Sequence, residues 1–187
     1  MPPKVRITKA DIVNTAVDIV RKNGVQALNA RSIAAALNCS TQPVFSNFAA
    51  MEELRLAVVD AADALCQAYM KREAESGLYP PYKAIGMAYI RFAKEEKELF
   101  KLLYMRDRTA ESVPEETDAG NHLLSMVQGN TGLTKMDAEL FHLEMWAYVH
   151  GIAAMTATGY LELEWELVSR MLTDSYQGLK AQFENKG

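Results

Sequence analysis

The chain has 187 residues, of which 49% are hydrophobic, and its formal net charge is -4. A folded chain of this length buries roughly 70% of its unfolded surface, which excludes a disordered protein and one that needs a metal or disulfide staple. The two cysteines form no disulfide framework, and no window of about 18 residues is apolar enough to span a membrane. The first residues lack the apolar core of a secretion signal, so we expect a cytoplasmic protein with no membrane partner.

Charge is distributed unevenly along the chain. Residues 1–48 hold six basic and two acidic side chains, a net charge of +4, which leaves -8 for the remainder. The basic residues are Lys4, Arg6, Lys9, Arg21, Lys22 and Arg31. Such a segment is typical of a surface that meets a polyanion, although a solvated face would have the same composition.

Helical periodicity dominates the sequence. No sustained alternation of apolar and polar residues predicts a strand, so we expect an all-α fold of about nine helices. The first helix covers 9–23, because Thr8 and Asp11 form a capping box before it and Asn23-Gly24 ends it.

The next two helices are short. Asn29 can cap the second, which ends at Asn38 in a left-handed conformation, and Ser40 is predicted to cap the third, with Pro43 in its first turn. About three residues join them, which is the length of a helix-turn-helix connection.

The second helix of a helix-turn-helix enters the major groove of DNA and contacts base edges with its first residues. Gln42 can pair with adenine and Thr41 can pack on thymine, while Ser46 and Asn47 suit phosphate oxygens. Val44 and Phe48 are expected to face the first helix. A plain helical hairpin has the same pattern, so this alternative stays open.

Longer amphipathic helices follow this motif. We predict them at about 50–75, from Pro80-Pro81 onward, and at about 96–106, 115–129, 135–160 and 162–184. Residues 106–121 lose the apolar period and are expected to form an acidic loop or helix start.

The stretch from Thr8 to Leu54 resembles the DNA-binding domain of TetR-family (AcrR-like) transcriptional regulators. The resemblance rests on the runs AVDIVRKNGVQAL, ARSIAAALNCSTQPVFSNF and EEL. It implies a DNA-binding domain over 1–48, a ligand-binding and dimerisation domain over 49–187, and a double-stranded operator as partner. The DNA contacts it implies are Thr8, Arg31, Thr41, Gln42, Phe45 and Asn47.

This sequence departs from the family pattern at three positions. Asn38 stands where the family usually has Gly, Phe45 lacks the hydroxyl of the usual Tyr, and Met51 replaces a frequent Lys. Losing two phosphate donors weakens backbone affinity and flattens its salt dependence, for which Lys4, Arg6 and Lys9 could compensate.

Residues 80–165 resemble the second domain of a TetR subfamily with a Trp, His, Gly signature, here Trp146, His150 and Gly151. The resemblance implies a small, largely apolar effector that releases a repressor from a palindromic operator. We expect the effector to contact bulky and soft side chains together with one histidine, although such stripes are also typical of a plain core. The candidates are Phe92, Phe100, Tyr104, Met105, Met126, Phe141, Trp146 and His150.

The last two helices are expected to form a homodimer, because they carry small residues and more apolar positions than one monomer face needs. The predicted interface contains Gly151, Ala154, Met155, Leu167 and Met171.

Catalytic motifs are absent from the sequence, and His122, His142 and His150 lack the spacing of a metal site. We therefore expect no enzyme, metal or cofactor. A helical small-molecule carrier, or a protein-interaction module without DNA binding, is the alternative to a regulator.

Overall fold

A computed structural model describes residues 7–107, 109 and 118–185 of the chain. Within these residues there are nine α-helices, one short 3-10 helix (Val25–Ala27) and no strand, which confirms the predicted fold class. The helices are α1 Lys9–Asn23, α2 Ala30–Ala36, α3 Gln42–Asn47, α4 Met51–Ser76, α5 Pro81–Glu95, α6 Lys97–Tyr104, α7 Asp118–Thr131, α8 Lys135–Ala157 and α9 Trp165–Glu184. Lys4, Arg6 and most of the acidic stretch 106–121 lie outside the described residues. No helix of the described part has both the length and the apolar character needed to span a membrane.

Helix α1 begins and ends where the sequence predicts. The Thr8 backbone N–H donates to Asp11 Oδ2 at 2.8 Å, and the Thr8 hydroxyl accepts from the Asp11 N–H at 3.1 Å. Gly24 ends the helix with φ 79 and ψ 167, a conformation that is essentially restricted to glycine. These two local signals fix the length of the helix.

The turn between α2 and α3 confirms one prediction and corrects another. Asn38 has φ 51, the left-handed conformation expected there. Thr41, not Ser40, occupies the N-cap of α3, and its side chain makes no capping hydrogen bond. Pro43 lies in the first turn, where its missing N–H leaves no helix hydrogen bond unmade.

The last two helices are each shorter than predicted. Helix α8 ends at Ala157 because the chain turns at Gly159, whose φ is 73, and the Tyr160 N–H returns to the Met155 carbonyl at 2.9 Å. Helix α9 starts at Trp165, after Glu164 in an extended conformation.

The chain forms two compact units. The first comprises Met1–Gln67 and Glu96–Arg106, and the second comprises Ala68–Glu95 and Asp107–Gly187. Helix α4 contributes residues to both. The predicted boundary after residue 48 separates a DNA-binding domain from a ligand-binding and dimerisation domain by their functions, and it stays a prediction.

Each unit has its own apolar core. In the first, α6 packs against α1, and the Arg21 guanidinium donates to the Glu96 carboxylate at 2.7 Å. In the second, α5 and α8 share the most extensive contact, and a further cluster joins α7, α8 and α9. That cluster consists of Val127, Ala138, Phe141, Met145 and Phe183. These cores hold the surfaces of α3 and α8 in place.

Candidate DNA-binding surface and ligand pocket

Helix α3 has one buried face and one exposed face, as predicted. Val44 and Phe48 are buried, and Lys9 of α1 lies 4.6 Å from the centre of the Phe48 ring. Gln42 and Ser46 are exposed, and Phe45 is 56% exposed although it is a large apolar side chain. The exposed face therefore carries an amide, a hydroxyl and an aromatic ring.

Ser46 and Asn47 of α3, which are predicted to contact DNA phosphates, donate hydrogen bonds to backbone carbonyls of their own helix. The Ser46 hydroxyl donates to the Gln42 carbonyl at 2.9 Å, and the Asn47 amide donates to the Pro43 carbonyl at 2.8 Å. An amide has two N–H donors and a hydroxyl has one. Asn47 can therefore donate to a phosphate without moving, whereas Ser46 must first rotate its hydroxyl.

The predicted contacts outside α3 lie at two helix starts. Thr8 caps α1, and the exposed Arg31 lies in the first turn of α2, where the Asn29 side chain accepts from its N–H at 3.0 Å. Their role in DNA binding stays a prediction.

Lys9 is held by an ion pair within the first unit. Its ammonium lies 2.9 Å from the Glu53 carboxylate near the start of α4. This hydrogen bond, together with one from the Ala49 backbone, lowers the pKa of Glu53. The ammonium has two further N–H donors, but the Glu53 carboxylate partly neutralises the charge that Lys9 could offer in place of a cation at Met51, which begins α4 and is half-buried.

The predicted effector residues are divided between the two units. Phe100, Tyr104 and Met105 belong to the first unit, where the Phe100 and Tyr104 rings pack 5.0 Å apart. The others belong to the second unit, where Phe92 and Phe141 are fully buried and Met126 is half-buried. The structure brings together Trp146 and His150, whose rings stack with centres 5.2 Å apart and planes 19° apart.

Two tyrosine–histidine hydrogen bonds join α5 to α8. Tyr82 Oη lies 2.9 Å from His142 Nδ1, and Tyr89 Oη lies 2.9 Å from His150 Nδ1. Burial lowers the pKa of both histidines below the ordinary value of 6.5, so both are neutral at neutral pH. The same effect raises the pKa of Tyr82.

A pocket of about 410 Å³ lies between α7 and α8. Its wall contains Trp146 and one of the two bonded histidines, together with residues that sequence reasoning did not select. The lining residues are Gly120, Asn121, Leu124, Glu139, His142, Leu143 and Trp146. The helical spacing of 139, 142, 143 and 146 already indicates in the sequence that these four side chains share one face of α8. The sequence does not indicate that Gly120, Asn121 and Leu124 of α7 lie opposite them, because that depends on tertiary packing.

The predicted dimer residues lie on partly exposed parts of α8 and α9. Gly151, Ala154, Met155 and Met171 are half-buried, and Leu167 is exposed. A Cβ atom added at Gly151 would meet nothing within 4 Å. The small-residue stretch is not wholly available, because Ala153 and Ala157 are buried in the second unit.

In the described part of the chain, no three His, Cys, Asp or Glu side chains are grouped so that they could hold a metal ion.

Among curated proteins, no sequence matches this chain.

Several solved structures share this fold. A TetR-like transcriptional regulator from Rhodococcus sp. RHA1 is 20% identical with a TM-score of 0.65, over 96% of this chain and 98% of that one. A TetR-family member from Streptomyces coelicolor A3 is 16% identical with a TM-score of 0.60, over 89% of this chain and 96% of that one. The multidrug binding protein EbrR, complexed with imidazole, is 16% identical with a TM-score of 0.56, over 89% and 88% of the two chains.

A family model shows the relationship at the level of sequence. The model of the tetracyclin repressor-like C-terminal domain matches residues 82–175, which is half of the chain. The Trp, His, Gly subtype stays a prediction. With an all-helical fold shared with those regulators and this match over half of its length, the chain belongs to the TetR family of transcriptional regulators.

Proposed function

We propose that the protein is a homodimeric repressor that binds a palindromic operator through residues 1–48 and leaves it when a small, largely apolar effector binds within residues 49–187. The observation that carries this proposal is the exposed face of α3, which presents Gln42 beside Thr41 at the end of a basic segment. Base recognition requires such side chains at the start of a recognition helix.

The exposed face of α8 supports the dimer in this proposal. Large apolar side chains continue the predicted interface toward the start of the helix, where Met136 is 76% exposed and Leu140 is also exposed. With Gly151 and Ala154 they form one stripe along α8, because all lie within a narrow sector of the helix. Paired with Leu167 and Met171 of α9, this stripe can bury a standard interface of about 1,600 Å² in total.

Effector binding acts by shifting populations between two arrangements of the dimer. A ligand with higher affinity for one arrangement favours it, and only one holds both recognition helices at the spacing of successive major grooves. Helix α4 is the covalent path for this coupling, since Met51–Gln67 belongs to the first unit and Ala68–Ser76 to the second.

A gel shift with DNA from upstream of the protein's own gene tests DNA binding. We expect a complex that survives competitor DNA of shuffled sequence and weakens steeply with salt, because phosphate contacts release counterions. No complex even at low salt would favour the carrier or interaction module. Phe45 and Met51 favour that alternative, because they stand where the family usually has Tyr and Lys, two side chains that donate hydrogen bonds to phosphate.

The effector half of the proposal needs a separate experiment. Compounds that raise the melting temperature bind the folded protein, and those that also dissociate the DNA complex are effectors. Stabilising compounds that never release DNA would contradict a repressor of this kind.

A further inference from the structure

The pocket between α7 and α8 is electrostatically asymmetric. Among the described residues that line it, Glu139 is the single charged one, and it lies toward the start of α8. Trp146 lies seven residues further along the same helix, which is about 10 Å in rise. Between them lie Leu143 and His142, with Leu124 contributed by α7. A carboxylate thus lies at one end of an apolar wall and an indole at the other.

Among the described residues, positive charge is scarce along this wall. His142 is neutral at neutral pH, because burial lowers its pKa while Tyr82 occupies its Nδ1. Lys135 lies one turn before Glu139, with its ammonium 3.8 Å from the carboxylate, and both side chains are largely exposed. Such an exposed pair contributes little stability, so a ligand cation can compete for the carboxylate.

The indole of Trp146 can receive a ring. His150 stacks on one face of it, while the side chain as a whole is 47% exposed and lines the pocket. An aromatic ligand packed on the remaining surface would bury apolar area that is now in water.

We propose that this pocket binds an elongated aromatic amine, with its cationic nitrogen at Glu139 and its ring against Trp146. The two contact points are two helical turns apart, which matches a ring and an ammonium joined by a short alkyl spacer. The inference names the chemical class of the effector and in that respect rests on the proposed function, although binding itself is measurable without DNA.

Three probes that differ only in their head group test the charge preference: 4-phenylbutylamine, 4-phenylbutanol and 4-phenylbutyrate. Titration is followed by tryptophan fluorescence in a Trp165→Phe variant, which leaves Trp146 as the reporter and keeps a ring facing Arg91. We expect the amine to bind most tightly, the alcohol next and the carboxylate weakest, with at least about a tenfold difference in Kd between the two charged probes. Equal affinities, tighter binding of the carboxylate, or no binding of any probe overturn the proposal.

Two substitutions separate the two ends of the ligand, with binding measured by calorimetry. Glu139→Gln should remove the preference for amine over alcohol and leave the alcohol affinity unchanged, and Glu162→Gln, which alters an exposed carboxylate outside the pocket lining, should change neither. Trp146→Leu should weaken all three probes by a similar factor. An undiminished amine preference in Glu139→Gln overturns the role of that carboxylate.

The operator complex distinguishes failure of this inference from failure of the proposed function. If the amine binds with the expected selectivity but leaves the operator complex intact, the assignment of the pocket stands and the regulatory role fails. If the protein binds its operator but shows no preference for the amine, the result supports a DNA-binding repressor and overturns the proposed amine site.

Discussion

Gln42 is the exposed amide at the start of the proposed recognition helix. Replacing it by Ala should reduce affinity for the operator by about 1–3 kcal/mol at one base pair, because a bidentate contact to a base edge is lost. Binding to shuffled DNA should hardly change. Competition gel shifts with operators altered one position at a time locate that base pair.

Gln182→Ala is the matched control, since Gln182 is also an exposed amide, on α9. It should leave both operator and shuffled DNA binding unchanged. A uniform loss on all DNA for Gln42→Ala would contradict base recognition by this side chain.

Met51 lies at the first position of α4, where a cation would face DNA phosphate in the proposed complex. Met51→Lys should tighten binding to all DNA and steepen the dependence of log K on log salt by about one unit, the contribution of one added phosphate contact. Leu78→Lys adds the same charge at an exposed site in the second unit, away from the proposed dimer stripe, and serves as the control. If both variants show the wild-type slope, position 51 does not face the backbone.

Gly24 ends α1 in a conformation that other residues avoid. Gly24→Ala should lower the free energy of unfolding by about 1–3 kcal/mol, because φ 79 with ψ 167 is strained for any residue with a Cβ. The added Cβ would also lie 2.9 Å from Glu98 Oε2, but that carboxylate can move away. Urea denaturation measures the change.

Gly129→Ala is the control for this substitution. Gly129 lies within α7 without positive φ, and its Cβ would meet nothing, so alanine there should stabilise the protein slightly. Equal stability of Gly24→Ala and the wild type would show that the end of α1 relaxes without strain.

Single residues with strong local chemistry could be predicted from the sequence. Thr8, Gly24 and Asn38 occupy the expected conformations because caps and left-handed turns are decided by near neighbours in the chain. The lining of the pocket could not be predicted in the same way. Asn121 and Leu124 line the same pocket as Glu139 and Trp146 only because α7 packs against α8.

At the scale of elements, the contact between α5 and α8 carries two neutral histidines. Their pKa values are lowered in the folded state, so below about pH 6.5 the unfolded chain takes up protons that the folded chain does not. Stability is therefore highest above pH 6.5 and falls as the pH drops toward the folded-state pKa values. Melting temperatures at pH 7.5 and 5.5 should show this loss.

The double variant His142→Gln with His150→Gln separates this effect from other titrating groups. Glutamine can accept the tyrosine hydroxyl and does not titrate, so the variant should lose less stability between the two pH values than the wild type. An identical loss in both proteins would assign the pH dependence to carboxylates elsewhere.

Helix positions were predictable because each helix carries its own apolar period, whereas several helix ends were not. Helix α8 stops at Ala157, although residues up to 160 fit the period, because the turn at Gly159 takes precedence over apolar spacing. Helix α3 starts after Thr41, since Ser40 and Thr41 are both plausible caps and local sequence alone does not choose between them.

At the scale of the whole molecule, dimerisation decides whether two recognition helices can read one palindrome. Ala154→Arg places a long cation in the middle of the α8 stripe and should yield a monomer at micromolar concentration, because an unpaired charge is costly in an apolar interface. Operator affinity should fall with it, since one helix-turn-helix reads only a half-site. Sedimentation velocity and gel shifts measure the two effects.

Ala74→Arg, on an exposed part of α4, controls for the added charge and should leave the dimer intact. A wild-type protein that sediments as a monomer would remove this interface altogether. An Ala154→Arg variant that still dimerises would place the interface elsewhere on the chain.

The paired Tyr82–His142 and Tyr89–His150 hydrogen bonds fix the register of α5 against α8. If one helix slid past the other by a single turn, about 5.4 Å, both tyrosine hydroxyls would lose their acceptors together. A slide of one turn would therefore cost both hydrogen bonds at once, so the two pairs oppose a change of register together. We expect a molecule that binds between α7 and α8 to move α7 more readily than it shifts α5 along α8.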